Sequence, residues 1–329
     1  MPPLKPENRS HAMPAPSSAA GSSDVDAPTG ATRRLVELEG RGVALSLLEW
    51  GDPALPLALF SHANGFCAAL WAEVAEALQQ RFHVVAVDAR GHGHSPEPPG
   101  GVSSQTISWQ ALRGDLVELS RLLLAEAGQS RVALGVGHSI GGTLTLAAAA
   151  AALAPGRFGA LLALDPVILP PRRVAVGPEN MLAAGARRRR AVFASRAAAR
   201  AGFAGKPFFA NWTERALDLY VDFGLGPATS PTAEPGEVVL RCSPETEASV
   251  FESSIDFDIV DEAARIDVPA GILWAADGQF PREVHARLAE RMPRGWIQDA
   301  DAGHLILMEK PGLVLEAIER VLRDVAEAR

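Results

Sequence analysis

The chain has few of the residues on which disulfide-rich or metal-bound folds depend. Only two of its 329 residues are cysteines, Cys67 and Cys242, and neither lies in a CxxC pair or a Cys/His cluster. Two cysteines do not make a disulfide framework, and their surroundings do not suggest a metal site. We therefore expect two structural thiols in a reducing compartment.

Long hydrophobic runs and a strong charge of one sign are also missing. The most apolar stretch, Thr143–Leu153, is too short to span a bilayer and is typical of a buried helix. A formal charge of −8 does not suggest a nucleic-acid partner. Residues 1–32 are rich in Pro, Ser and Ala and lack the apolar core of a secretory signal. We expect a disordered tail there, and a cytoplasmic protein without a membrane span.

Short apolar runs alternate with helical patterns through much of the remaining chain. Leu57–Phe60, His83–Val87 and Arg131–Val136 are strongly apolar, and residues with helical spacing follow each of them. Strands of this kind are typical of a parallel sheet that is covered on both faces. The pattern predicts an α/β fold with a doubly wound, mostly parallel sheet.

The alternation stops at about residue 167 and returns at about residue 267. Between them lie Pro- and Gly-containing loops and helix-like stretches, of which Met181–Ala201 is the longest. We predict a core formed by residues 33–166 and 267–329, with an inserted, mostly helical cap at residues 167–266.

A glycine-rich turn follows the strand predicted at Arg131–Val136. Its sequence, Gly137-His138-Ser139-Ile140-Gly141, fits G-x-S-x-G and stands between a strand and a helix, as a nucleophile elbow requires. A serine on such a turn projects its hydroxyl above the sheet, and the backbone N–H of the next residue, Ile140, is placed to stabilise an oxyanion. In the alternative interpretation Ser139 only caps the helix.

With these residues the chain resembles the α/β-hydrolase superfamily, in particular its cap-bearing bacterial serine hydrolases of the esterase type. The resemblance covers roughly residues 33–325 and implies the α/β-hydrolase fold with an inserted helical cap. Four segments carry it, in the order the superfamily has them: Ser61–Phe66, Asp88–Ser95, Gly137–Gly141 and Gly303–Pro311.

The resemblance also implies roles for individual residues. Ser139 would be the nucleophile and His304, which follows the last predicted strand, its general base. The acid would be Asp277, which directly follows a strand at the superfamily's usual place. Asp165 also follows a strand, where a few families have their acid, and it stays as the alternative. His285, on a predicted helix, is interpreted as a surface or packing residue.

A second oxyanion donor is implied in the loop that begins at Ser61. By resemblance it is the backbone N–H of Asn64, although this loop has His-Ala-Asn-Gly where His-Gly-x-x is commoner.

The implied function is cleavage of a carboxylic ester or related acyl bond of a small molecule through an acyl-enzyme, with no metal or organic cofactor. The serine at position 139 argues against a dehalogenase or an epoxide hydrolase, in which an aspartate would be the nucleophile. Three alternatives remain: an acyltransferase or cyclase, a lactonase or C–C hydrolase, and a non-catalytic ligand-binding homologue. The oligomeric state is not predicted.

Overall fold

The computed structural model describes residues 26–151, 157–168, 180–253 and 258–327. Most of the tail expected at residues 1–32 therefore lies outside the described residues. The first strand already begins at Thr32.

The core of the described part is an eight-stranded sheet. Its strands are β1 (Thr32–Leu38), β2 (Val43–Trp50), β3 (Leu57–Ser61), β4 (His83–Val87), β5 (Leu134–His138), β6 (Leu161–Leu164), β10 (Ala270–Ala275) and β11 (Gly295–Ala300). They are arranged in the order β1-β2-β4-β3-β5-β6-β10-β11. The two pairings of β2 are antiparallel and the others are parallel. The predicted mostly parallel sheet is confirmed.

Helices cover both faces of this sheet. They are α1 (Ala72–Leu78), α2 (Trp109–Ala127), α3 (Ile140–Ala150), α8 (Ile259–Glu262), α9 (Arg282–Arg291), α10 (Ile306–Glu309) and α11 (Pro311–Ala326). Every residue of β3 is buried, and its alternate side chains belong to two apolar clusters: Ala58 and Phe60 to one, Leu57 and Leu59 to the other. This burial on both faces explains why β3 is apolar throughout. Among the residues described, no helix combines the length and apolarity of a membrane span.

Residues 180–253, here called the inserted segment, form a separate group of elements between β6 and α8. The inserted segment contains α4 (Met181–Arg187), β7 (Val192–Phe193), α5 (Arg196–Ala204), α6 (Glu214–Phe223), β8 (Leu225–Pro227), β9 (Val238–Leu240) and α7 (Pro244–Glu252). Strands β7, β9 and β8 make a small antiparallel sheet in that order. The segment is thus mainly helical, and its role as a cap stays a prediction.

The helix-like interpretation of Met181–Ala201 is wrong in its middle. Val192 and Phe193 pair with Val239 and Val238 of β9, and α5 starts only after Ser195, whose hydroxyl accepts a hydrogen bond from the Ala198 N–H at 3.1 Å. The strand pairing joins residues more than 40 positions apart, so local helix propensity could not reveal it.

Candidate active site

Ser139 stands on a sharp turn between β5 and α3. Its backbone has φ 57° and ψ −123°, a strained conformation for a residue with a side chain. The turn depends on glycine at two positions, because a Cβ atom on Gly137 would lie 2.2 Å from the Gly141 carbonyl oxygen and one on Gly141 would lie 2.5 Å from the His62 carbonyl oxygen. The strand–turn–helix context predicted for G-x-S-x-G is therefore present.

His304 joins Ser139 to a carboxylate. Its Nε2 atom lies 2.9 Å from Ser139 Oγ, and its Nδ1 atom lies 2.6 Å from Oδ2 of Asp165. Because an ionised carboxylate can only accept, Nδ1 carries the proton and Nε2 accepts the serine hydroxyl. This tautomer is the one in which an imidazole can take a proton from a serine.

The loop that carries His304 is held on both sides of that residue. The Gly303 N–H donates to Glu309 Oε2 at 2.7 Å, and His138 Nε2 donates to the His304 carbonyl oxygen at 2.8 Å. These two hydrogen bonds fix the turn that carries His304, whose side chain is 29% exposed.

Asp165 is fully buried where β6 ends. Its backbone has φ 39°, its N–H donates to the Leu273 carbonyl oxygen at 2.8 Å, and its Oδ1 accepts from the Ala275 N–H at 3.3 Å. The contacts to Leu273 and Ala275 tie the acid to the neighbouring strand β10.

The expectation that Asp277 orients His304 is wrong. Asp277 is exposed, lies two residues beyond the end of β10, and uses its N–H to bind the Ala302 carbonyl oxygen. Asp165, the alternative, directly follows β6, the strand next to β5. That position brings its carboxylate beside the elbow, whereas the chain after β10 runs out to the surface.

The two predicted oxyanion donors lie on neighbouring segments. Ile140 is the first residue of α3, where backbone N–H groups have no partner within the helix. Ile140 and Asn64 line the same small cavity of about 30 Å³, whose lining includes Gly141 of the elbow but not Ser139 or His304. The structure thus brings both residues together beside the elbow, and their role toward an oxyanion stays a prediction.

The Asn64 side chain connects three parts of the molecule. Its Nδ2 donates to the Glu247 carbonyl oxygen on α7 at 3.0 Å, and its Oδ1 lies 3.1 Å from Nε2 of His92 in the loop after β4. In the same loop, the Ala89 N–H donates to Nε2 of His62 at 2.9 Å. The loop after β3 is therefore anchored to the loop after β4 and to the inserted segment.

Three histidines around this site are buried and uncharged near neutral pH. Burial lowers the pKa of His62 to about 4, and it lowers the pKa of His92 and of His138 to about 3. His62 and His92 hold the two loops together through their contacts with Ala89 and Asn64, which gives them a structural role. His138 points to the His304 carbonyl oxygen and not to Ser139.

An aromatic cluster joins the inserted segment to the loop after β3. Phe66 packs against Trp212 and Tyr220, with ring centroids 5.6 and 5.4 Å apart. Nearby, Arg189 forms an ion pair with Glu247 and donates to the Tyr220 hydroxyl at 2.7 Å. The inserted segment is thus packed directly on the segment that carries Asn64.

His285 is a packing residue and not a surface residue, but its contact with Asp165 was not predicted from the sequence. This residue lies on α9, is fully buried, and has its Nε2 atom 3.6 Å from Oδ1 of Asp165. Its spacing to the buried Leu288 and Ala289 is the helical signal that could have placed it on the inner face.

Known proteins resemble this chain in sequence and in structure. It is 33% identical over 144 residues to epoxide hydrolase A of Mycobacterium tuberculosis (strain ATCC 25618 / H37Rv) and 36% identical over 114 residues to a fluoroacetate dehalogenase of a Burkholderia species. These alignments cover 44% and 34% of this chain, and 41% and 34% of the two relatives, so less than half of each relative is matched. The solved structure of E-2-(acetamidomethylene)succinate hydrolase matches with a TM-score of 0.70 at 22% identity, over 89% of this chain and 99% of that one, which shows a shared fold.

A family model covers more of the chain than either sequence relative does. The model describes an alpha/beta hydrolase family and matches residues 58–317, which include the elbow, Asp165 and His304. Because this match spans well over half of the sequence, the chain belongs to the alpha/beta hydrolase family.

Proposed function

We propose that the protein is a serine hydrolase that cleaves a carboxylic ester or a related acyl bond of a small molecule. The observation that carries the proposal is the hydrogen-bonded series Ser139–His304–Asp165, in which consecutive side chains are 2.9 and 2.6 Å apart. A serine, a histidine and a buried carboxylate in this arrangement have the roles of nucleophile, base and orienting acid.

In the first step Ser139 Oγ attacks the acyl carbon while His304 Nε2 takes the hydroxyl proton. Asp165 stabilises the imidazolium that forms and keeps its ring in place. The imidazolium then protonates the leaving alcohol as the bond between the acyl carbon and that oxygen breaks, which leaves an acyl group on Ser139. In the second step His304 takes a proton from water, hydroxide adds to the acyl carbon, and the carboxylic acid leaves as Ser139 regains its proton.

Each step places negative charge on the acyl oxygen. The proposed donors to this oxyanion are the backbone N–H groups of Ile140 and Asn64. Loss of one such donor costs on the order of 3 kcal/mol in other hydrolases. The inserted segment, which packs on the loop of Asn64, is proposed to be the cap that encloses the substrate.

Ser139 at the elbow favours acyl transfer over the epoxide and carbon–fluorine chemistry that the partly aligned relatives are named for.

The free thiols Cys67 and Cys242 fit the reducing cytoplasm, which we propose as the compartment.

The test is hydrolysis of 4-nitrophenyl esters of increasing acyl length by wild type and two serine variants. Ser139→Ala should reduce kcat/KM by at least about a thousandfold. Ser120→Ala is the matched control, because Ser120 is also buried but donates its hydroxyl to the Val117 carbonyl oxygen on α2. Wild-type rates in Ser139→Ala would refute the proposal.

The same preparations should be given styrene oxide and fluoroacetate, for which we expect no turnover. Products formed with a competing alcohol distinguish water from another acceptor, since an acyltransferase would yield mainly the new ester.

A further inference from the structure

A second imidazole lies against the carboxylate of Asp165. While Oδ2 faces His304, Oδ1 lies 3.6 Å from Nε2 of His285, and the same Nε2 atom lies 2.9 Å from the Pro166 carbonyl oxygen. Both His285 and Asp165 have side chains with no exposed surface. The acid therefore lies between two histidines, one from the loop before α10 and one from α9.

His285 contributes a single N–H to this arrangement. Burial lowers its pKa, so the ring is neutral at physiological pH and carries one proton. Each ring nitrogen lies near a carbonyl oxygen, Nε2 at 2.9 Å from that of Pro166 and Nδ1 at 3.4 Å from that of Pro281. The shorter contact places the proton on Nε2, the nitrogen that also faces Asp165 Oδ1. At 3.6 Å the contact with Asp165 is longer than a hydrogen bond, and the neutral ring brings no second positive charge that would compete with the His304 imidazolium.

The backbone at Asp165 is strained, so it needs contacts from neighbouring residues to hold it in place. Asp165 has a positive φ of 39°, which is unfavourable for a residue with a side chain, and it is followed by a proline, which further restricts it. Strained backbone persists only where its surroundings fix it. The hydrogen bond from His285 fixes the carbonyl group of Pro166, the residue directly after the strained one.

We infer that His285 is a positioning residue that holds Asp165 in line with His304. The inference rests on the proposed function, and His285 acts in it only through Asp165.

The ring of Phe280 packs against both histidines, with centroids 6.0 Å from His285 and 5.3 Å from His304. His138 is a further titratable side chain that interacts with Asp165.

Three variants test this role. His285→Met removes the N–H but fills a similar volume. His285→Gln keeps an N–H at about the place of Nε2 and should rescue the function. Leu288→Ala is the matched control, because Leu288 is fully buried one turn further along α9 and its loss destabilises the same helix.

For His285→Met we expect kcat to fall by about ten- to a hundredfold with KM nearly unchanged, since a small misplacement of a catalytic group costs this much. The acidic limb of the kcat/KM profile should move to lower pH, because a misplaced carboxylate stabilises the imidazolium less. His285→Gln should regain most of kcat and the wild-type profile, and Leu288→Ala should lower the thermal midpoint while keeping kcat. If His285→Met does not fold, His285→Asn takes its place, as its shorter amide does not reach Pro166.

Two results would overturn the inference. One is a wild-type kcat and pH profile in His285→Met. The other is an equal loss of kcat in His285→Met, His285→Gln and Leu288→Ala in step with their thermal midpoints. If turnover by wild type does not need Ser139, the proposed function itself fails. If turnover needs Ser139 but not His285, only the inference fails.

Discussion

Ser139 and Asp165 stand side by side at the ends of two adjacent parallel strands. His138 and Leu164 are register partners in β5 and β6, and the Ser139 N–H donates to the Leu164 carbonyl oxygen at 2.8 Å. Within the described ranges, these two are the non-glycine residues with positive φ. Each strand thus ends in a strained turn that directs a polar side chain toward His304, and such strain is typical of functional sites.

The choice between the two candidate acids can be tested directly. Asp165→Asn should reduce kcat by about 10⁴-fold, because an amide no longer stabilises the imidazolium and favours the wrong tautomer of His304. Asp277→Asn should stay within about twofold of wild type, since Asp277 is exposed. Steady-state kinetics on an activated ester measures both. A larger loss in Asp277→Asn than in Asp165→Asn would contradict the assignment.

The Asn64 side chain provides a test of the loop after β3. Asn64→Ala keeps the backbone N–H proposed for the oxyanion but removes the contacts to His92 and to the Glu247 carbonyl oxygen. We expect kcat to fall by up to about a hundredfold, because the donor is no longer held in place. Asn211→Ala, at an exposed position, is the control and should leave kcat unchanged. Equal kcat values for the two variants would exclude the anchoring role.

Folding stability should decrease as the pH is lowered from about 6.5 to 4. The pKa values of His62, His92 and His138 lie at about 4, 3 and 3 in the folded protein, below the ordinary value of 6.5. In this range the unfolded chain binds protons that the folded protein does not, so lowering the pH favours unfolding. Each histidine lowers the free energy of unfolding by up to about 1.4 kcal/mol for each pH unit by which the pH falls in this range.

Urea unfolding at pH 7.5, 6.5, 5.5 and 4.5 measures this dependence. His92→Gln should be less sensitive to pH than wild type, because one of the three sites is gone. A free energy of unfolding that stays constant from pH 7.5 to 4.5 would show that these histidines are not held neutral.

The two cysteines should be unreactive in the folded protein. Burial raises the pKa of Cys67 to about 12 and also raises that of Cys242, so neither is a thiolate at pH 8. A chromogenic disulfide reagent should label neither thiol in the native protein and both in denaturant. Rapid native labelling, with loss of ester hydrolysis, would instead point to an accessible thiol at the site.

Much of the core and of the site could be predicted from sequence because the signals are local. The elbow is recognisable from five consecutive residues between an apolar strand and a helix. The loops of Asn64 and His304 have recognisable positions along the chain. Continuous apolar runs such as Leu57–Phe60 identify strands that are buried on both faces.

The remaining features depend on contacts between distant residues. Asp165 and Asp277 both follow strands, and only the placement of β6 beside β5 decides which carboxylate meets His304. His285 approaches Asp165 from 120 residues further along the chain. The pairing of Val192–Phe193 with β9 is likewise not encoded in local propensity.

Covalent labelling with a fluorophosphonate, followed by peptide mass spectrometry, tests the central claim most directly. The account predicts one adduct per chain on Ser139, formed rapidly by wild type, much more slowly by Asp165→Asn, and absent in Ser139→Ala. An unlabelled wild-type protein, or the same adduct yield after Ser139 is replaced, would contradict it.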